Sequence, residues 1–324
     1  MAKTRRTRKT KKTISIAAVV VLAVLWVAGN AAAYTLRTGS FPTIDQLLGQ
    51  LGLSDARPVS GSIPTEASLH FIDVGQGDST LILSDGHACL VDAGEVDQGQ
   101  TVVNYLNAVG VDKLDYLVMT HPHSDHIGGM QKVLEQMEVD TVLLPDFTLA
   151  PTPTTSVFER TLNAIDQNGA EAVTAQAGQI YPLGQGEFKV LGAGIETDDY
   201  NNLSLVLRFD LPGVSLLCSG DAEAEVEREL LSEGAWLGAD VFQAGHHGSS
   251  TSNSPEFVQA ISPRYMVVSC GQDNSYGHPH AETLQTARQV GAEVLRTDEL
   301  GSIVIYPEGS ALTVETTAEG DAAA

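Results

Sequence analysis

Basic residues are scarce in this chain, and those present are crowded into one place. Its 324 residues hold 18 Lys and Arg against 41 Asp and Glu, a formal net charge of −23 at pH 7. Seven of the 18 (Lys3, Arg5, Arg6, Arg8, Lys9, Lys11 and Lys12) fall within residues 1–33, which carry no acid. Residues 34–324 keep eleven basic side chains against all 41 acids, a net of −30. A body this acidic repels nucleic acid and anionic lipid except at a local basic track, which argues against a tight, processive DNA binder. A polyanionic substrate must then be held by metal ions or by a few placed side chains. Cysteine is scarce too. Cys89, Cys218 and Cys270 lie inside the apolar runs HACLVD, VSLLCSGD and YMVVSCG. An odd number in strand-like segments fits buried free thiols better than a disulfide framework. No short-period repeat is present.

The chain is long enough for one large domain or two modest ones. Behind the basic flank runs Ile14 to Ala28, ISIAAVVVLAVLWVA, then Gly-Asn-Ala-Ala-Ala. A positive flank before such a run predicts a signal peptide or a single anchor, with the body exported. The expected organisation is a basic region over 1–13, an export or membrane-anchor segment over 14–34 and a linker over 35–66. A catalytic domain follows over 67–317 and a short tail over 318–324. The body is expected on the extracellular side, anchored or released by cleavage.

From Ser68 on, short apolar runs alternate with turns and helical patterns. LHFIDV, STLILS and HACLVD predict strands, Thr101 to Val109 a helix, and LDYLVM a buried strand. A helix over Gly129 to Met137, a strand over Asp140 to Leu144 and a helix over Val157 to Gln167 follow. The second half repeats the logic with the hairpin LSLVLRFD-LPG-VSLLCSGD, a helix over Ala222 to Leu231 and the strand ADVFQAG. Then come helices over Pro255 to Ile261 and Ala281 to Val290, and strands YMVVSC, EVLRT and SIVIY, before an acidic, small-residue tail. Two such halves predict an α/β fold with two sheets face to face between outer helices.

The chemistry concentrates where LDYLVM runs out. His121-Pro122-His123-Ser124-Asp125-His126 precedes Ile127-Gly128-Gly129. His121 and His123, at i and i+2, can face one ion, while Asp125 and His126 turn toward a second. Imidazole suits zinc and its neighbours, and carboxylate also tolerates manganese. Further ligands are expected at other strand ends. Asp221 closes VSLLCSG and can bridge two ions, although Asp is also a good N-cap for the helix after it. His246 and His247 close ADVFQAG; one is expected on a metal and the other beside it or on substrate, and the sequence does not rank them. Asp92, in VDAG, is placed to orient the histidine loop.

HPHSDHIGG, with VDAG before it and SGD and HHGS after it, resembles the metallo-β-lactamase superfamily of metal-dependent hydrolases. FIDVGQGDS, NNLSLVL, GHHGSSTS and YGHPH resemble one branch more closely, the ComEC-type competence family. The resemblance runs from about Leu69 to Ile305 and implies a four-layer αββα sandwich with two divalent ions, Zn2+ or Mn2+. It adds Asp73, Asp78 and Ser249 as residues that support the ligands or meet substrate. The chain departs from the family in having one apolar N-terminal segment instead of many spans. It departs from the wider superfamily in having no histidine between His126 and Asp221, where Asn202 is expected to offer an amide oxygen or contact substrate. His278, in Tyr276-Gly277-His278-Pro279-His280, is the candidate for a substrate oxyanion or a leaving group, and His280 for a helix N-terminal position. A water activated between ions about 3.5–4 Å apart would attack phosphorus or a carbonyl carbon, with Asp125 or Asp221 taking the proton. The branch makes a phosphodiester the expected substrate: DNA, a nucleotide or a cell-envelope phosphodiester. A phosphorylcholine-type esterase, suited to an acidic surface, and a tethered binding module without activity are the alternatives. No protein partner is expected.

Overall fold

The computed structural model describes residues 66–318. The basic flank, the apolar segment and the linker up to residue 65 lie outside the described residues, as does the tail after 318. Among the described residues, no helix is long and apolar enough to cross a membrane.

Apolar runs broken by glycine turns begin the domain. β1 (Ala67–Phe71), β2 (Thr80–Ser84) and β3 (His87–Val91) form an antiparallel meander. Asp85 and Gly86, between β2 and β3, both have positive φ (49° and 82°), the twist that an Asp-Gly hairpin turn supplies. After β3, helices replace tight turns and the pairing becomes parallel, because parallel neighbours need a crossover. α1 (Gly99–Ala108) leads to β4 (Lys113–Val118). α2 (Ser124–Ile127) and α3 (Met130–Gln136) lead to β5 (Glu138–Leu144). α4 (Ser156–Asn168) leads to β6 (Glu171–Thr174). α4 has the expected stops: Thr155 accepts from the Phe158 N–H at its start, and Gly169 ends it at φ 82°.

The second sheet repeats the plan. β7 (Ile180–Leu183), β8 (Gly186–Ala193), β9 (Leu205–Leu211) and β10 (Val214–Cys218) are antiparallel. α5 (Ala224–Ser232), α6 (Pro255–Ile261) and α7 (Ala281–Val290) then carry the chain to the parallel strands β11 (Val241–Gln243), β12 (Tyr265–Val268) and β13 (Glu293–Arg296). After a short α8 (Thr297–Leu300), β14 (Ile303–Glu308) and β15 (Ala311–Thr316) complete the chain. The orders are β15-β14-β1-β2-β3-β4-β5-β6 and β13-β12-β11-β10-β9-β8-β7.

Strand alternation decides the layers. In β3, Cys89 and Val91 point between the sheets, where they meet Phe188, Phe209 and Leu216, while Ala88 and Leu90 point at Leu106 and Val133 of the helices. On the other side, Leu217, Phe242 and Met266 pack against Val226, Leu230 and Phe257. The result is helices, sheet, sheet, helices. All three cysteines are buried free thiols. One expectation needs correction. SIVIY belongs to the first sheet, with Leu69 opposite Ile305, and not to the second half. β15, a strand the sequence reading did not place, extends the first sheet beyond SIVIY; its side chains are only half-buried along an edge, so its apolar signal is weak.

Candidate metal centre

The polar residues of interest lie beyond the C-terminal ends of parallel strands, where open α/β sheets leave a crevice. Asp92 follows β3, the 121–126 loop follows β4, Asp221 follows β10 and the histidine pair follows β11. Backbone contacts fix this end. The Asp78 N–H donates to the Asp125 carbonyl at 3.1 Å, and the Ala93 N–H to the His126 carbonyl at 2.7 Å. Gly129 passes so close to the Ala93 carbonyl that any side chain would overlap it.

The two oxygens of Asp221 face different histidines. Oδ2 is 3.7 Å from His121 Nε2, whose neighbour His123 Nδ1 lies 3.0 Å further on. Oδ1 is 3.1 Å from His126 Nε2 and 3.8 Å from His247 Nε2. Asp125 Oδ2 stands 3.3 Å from the same His247 nitrogen. His121, His123 and Asp221 bring donor atoms within 4.8 Å of one another, as do Asp78, His126, Asp221 and His247. His126 Nε2, Asp221 Oδ1 and His247 Nε2 are all buried without a hydrogen bond. Orphaned groups of this kind cost about 1–3 kcal/mol each. A divalent cation would satisfy them, and a donor set of imidazoles and carboxylates fits such an ion.

The surrounding residues aim the ligands. Asp92 accepts from the Thr120 N–H at 3.0 Å, the Thr120 hydroxyl at 2.6 Å and His126 Nδ1 at 2.8 Å. A proton held on Nδ1 leaves Nε2 bare toward Asp221. His247 is treated alike: its Nδ1 meets the Ser269 carbonyl at 3.0 Å and Asp78 Oδ1 at 3.3 Å. Asp78 therefore stands behind His247, on the edge away from Asp125. Asp73 accepts from the Gly75 N–H at 3.0 Å and so holds the turn that carries Gln76.

Charge balance points the same way. Burial opposes a proton on His126, but Asp221 and Asp92 on either side outweigh it and hold its pKa well above the imidazole norm. Burial also opposes charge on His247, yet Asp221 and Asp78 lift it to about 10. Asp221 is held well below the carboxylate norm because three histidines overcome its burial. His121, fully buried and beside His126, is pushed well below the norm. Protons on His126 and His247 balance the buried carboxylates, a charge that a divalent ion would supply in their place.

A cavity of about 300 Å3 opens onto this cluster, lined by Gln76, His123, Asp125, Asn201, Tyr276 and His278 among others. His278 stacks on Tyr276 with ring centres 5.5 Å apart, and its Nδ1 is buried without a partner. Burial, together with His247 and His246, lowers its pKa to about 4. A second cavity of about 250 Å3, between β8 and α5, has no histidine, and its ionisable lining is Asp146, Glu229 and Glu233.

Some expected residues stand elsewhere. The Asn202 amide oxygen accepts from the Glu223 N–H at 3.1 Å, so it caps the approach to α5 and does not face the ligands. Its neighbour Asn201 lines the cavity instead, with Oδ1 buried and unpartnered. Ser249 bonds Thr251 at 3.1 Å and is held within its own loop. His280 occupies the N-cap position of α7. Gln76, Asn201, Thr120 and Tyr276 were not singled out by sequence. The flanking Gly75 and Gly77 and the paired asparagines were the available signals.

Residues 72–272 match the model of the metallo-beta-lactamase superfamily. The chain is 31% identical over 261 residues to ComE operon protein 3 of Bacillus subtilis, which covers 74% of this chain and 33% of that protein. It is 34% identical over 241 residues to competence protein ComA of Neisseria gonorrhoeae, covering 74% of this chain and 32% of that protein. The match thus spans about a third of these curated relatives. Among solved structures, the metallo-beta-lactamase fold protein YhfI of B. subtilis aligns at TM-score 0.50 and 12% identity, over 76% of this chain and 99% of that one. Igni18, a metallo hydrolase of Ignicoccus hospitalis, aligns at TM-score 0.50 and 15% identity, over 74% of this chain and 100% of that one, and both likenesses speak to the fold alone. With its sheets, its strand-end ligands and its matched relatives taken together, the chain belongs to the metallo-beta-lactamase superfamily, and within it resembles the domain of ComEC-type competence proteins.

Proposed function

We propose that this protein is a metal-dependent phosphodiesterase that activates water at a dinuclear site, working outside the cell membrane. The observation that carries the reading is Asp221. Its two oxygens face separate histidine groups from a fully buried position, as a carboxylate shared between two ions must. His121 and His123 would hold one ion; Asp125, His126 and His247 would hold the other. When bound, such ions lower the pKa of water and neutralise charge on a phosphoryl oxygen. The side chain of Asp125, 26% exposed at the cavity, stays ionised because His247 and His126 overcome the effect of burial. It is placed to accept a proton from the attacking water. His278 meets substrate as a neutral ring at pH 7, so it serves as a hydrogen-bond donor to the phosphoryl oxygen and not as a ready-made acid. Gln76 and Asn201 add amides to the lining of the same cavity.

The phosphodiester assignment is supported by relatives called competence proteins and recombination protein 2, whose names point to nucleic acid. The extracellular placement rests on the basic flank and apolar run of residues 1–34. The test is a substrate panel with Mn2+ or Zn2+: bis-p-nitrophenyl phosphate, DNA, p-nitrophenyl phosphorylcholine and nitrocefin. Turnover of the phosphodiesters, lost in Asp221→Ala, is expected. Turnover of nitrocefin alone, or no metal uptake, refutes the reading.

A further inference from the structure

We propose that His246 and His247 each serve a different ion, His246 supplying the third imidazole of the site formed by His121 and His123. This inference rests on the dinuclear reading above. Among the described residues, His121, His123 and Asp221 bring three donors within 4.8 Å of one another, with His246 just outside that set, and three is one short of the four that Zn2+ takes in a closed site. His246 Nε2 lies 3.7 Å from Asp221 Oδ2, the same oxygen that His121 Nε2 approaches at 3.7 Å. His247 Nε2 lies instead beside Oδ1, at 3.8 Å. Two adjacent histidines thus address opposite oxygens of one carboxylate.

The ring of His246 is set as a ligand's ring is set. Its Nδ1 meets the Thr251 hydroxyl at 3.1 Å and the Glu223 carboxylate at 3.8 Å. Those partners favour the proton on Nδ1 and leave Nε2 bare toward Asp221. The same pattern marks His126 with Asp92 and His247 with Asp78. Ser249 supports Thr251 in turn, at 3.1 Å. The backbone is arranged for this split. His246 and His247 both have positive φ, 52° and 53°, between Gly245 and Gly248. A non-glycine residue in this region costs of order 1–3 kcal/mol and persists where surrounding structure demands it. The consecutive left-handed pair turns the two rings apart, their centres 6.1 Å apart and their planes at 71°. His246 is only partly exposed and forms part of the cavity wall, so an ion held there would be reachable by substrate.

Metal content provides the test. The full chain, stripped with chelator, is titrated with Mn2+ or Zn2+ by calorimetry, and bound metal is counted after equilibration in a metal buffer. His246→Asn is the first variant, since asparagine tolerates positive φ, and His246→Gly, which relieves the strain outright, is the second. Both are expected to lose at least about 100-fold in affinity for one ion and to keep the other, the upper end of what disturbing a ligand's surroundings costs. His247→Asn is expected to lose the other ion, and the double variant both. Circular dichroism and the unfolding midpoint in chelator establish that each variant is folded. Two ions bound with wild-type affinities by both His246 variants would overturn the proposal while leaving the dinuclear reading intact. A wild-type chain that takes only one ion would sink both.

Discussion

Replacing Asp92 by Asn should cost metal affinity far more than it costs the fold. Asp92 Oδ1 accepts from the Thr120 backbone N–H, while Oδ2 takes both the Thr120 hydroxyl and His126 Nδ1. An asparagine has one acceptor oxygen in this plane. If that oxygen stays with the backbone N–H, which has no alternative state, the NH2 group meets His126 Nδ1 at a spacing of 2.8 Å. Two donors cannot share that gap, so the ring must move its proton to Nε2. That is the atom 3.1 Å from Asp221 Oδ1, and a protonated nitrogen cannot bind a metal. Outer partners of this kind are worth about 10–100-fold in metal affinity, or about 1.4–2.7 kcal/mol. The fold should feel less. Burial already pushes the Asp92 carboxyl up against its hydrogen bonds, so a neutral amide removes a desolvation cost as it loses charge-assisted bonds. The change in unfolding free energy in chelator should stay within about 2 kcal/mol. Calorimetry of Mn2+ or Zn2+ binding, paired with urea unfolding in chelator, reads both numbers. Thr120→Val, which removes the hydroxyl but leaves the tautomer, is the control. Metal affinity within about threefold of wild type in a folded Asp92→Asn would refute the tautomer argument.

Three further outcomes are expected. Asp125→Ala should reduce turnover on bis-p-nitrophenyl phosphate by about 100-fold or more, with the chelated protein's stability changed by less than about 1 kcal/mol because the side chain is partly exposed; near-normal turnover would remove it from the chemistry. His70, fully buried between Ser68 and Tyr105, is held neutral by burial down to about pH 3, below its ordinary 6.5. The unfolded chain therefore binds a proton that the fold refuses, so its share of stability is complete above pH 6.5 and shrinks as pH falls toward 3. At pH 4.5 the loss is about 2–3 kcal/mol, and urea midpoints for His70→Gln should show a correspondingly shallower decline; equal slopes would contradict it. Finally, with a net of −30 on residues 34–324, initial rates on DNA should rise between about 0.01 and 0.1 M salt as repulsion is screened, while rates on a small phosphodiester stay flat; a steep fall with DNA alone would reveal a local basic track.

Most helices and strands were legible because they obey local rules. The helices over Pro255–Ile261 and Ala281–Val290 have the expected bounds, with Pro at the start of one and Gly291 ending the other. Pairing was less legible, since apolar runs state that a strand is buried but not beside which neighbour. SIVIY would suit either sheet; it lies beside β1 because that edge is otherwise unpaired. β15 escaped notice because an edge strand with half-buried faces has no clean alternation.

The site was legible wherever a motif packs its ligands into consecutive residues, as in 121–126, or where a glycine precedes a lone carboxylate, as at Asp221. What the sequence could not settle were choices made by backbone conformation and by the far edge of a ring. Asn201 and Asn202 are chemically identical neighbours, and the turn beginning at Asp199 sends one amide to the cavity and the other to the Glu223 N–H. Ranking His246 above His247, or the reverse, failed for a deeper reason. In an extended strand only one of two adjacent side chains faces a given point, so sequence logic demanded a choice. Two successive left-handed residues remove that constraint, and the partners at Nδ1 then assign each ring: Thr251 and Glu223 to His246, Asp78 and the Ser269 carbonyl to His247. Those partners lie between 5 and 169 residues away in sequence. No local pattern carries that information; the meeting of β1's outgoing turn with the end of β11 does.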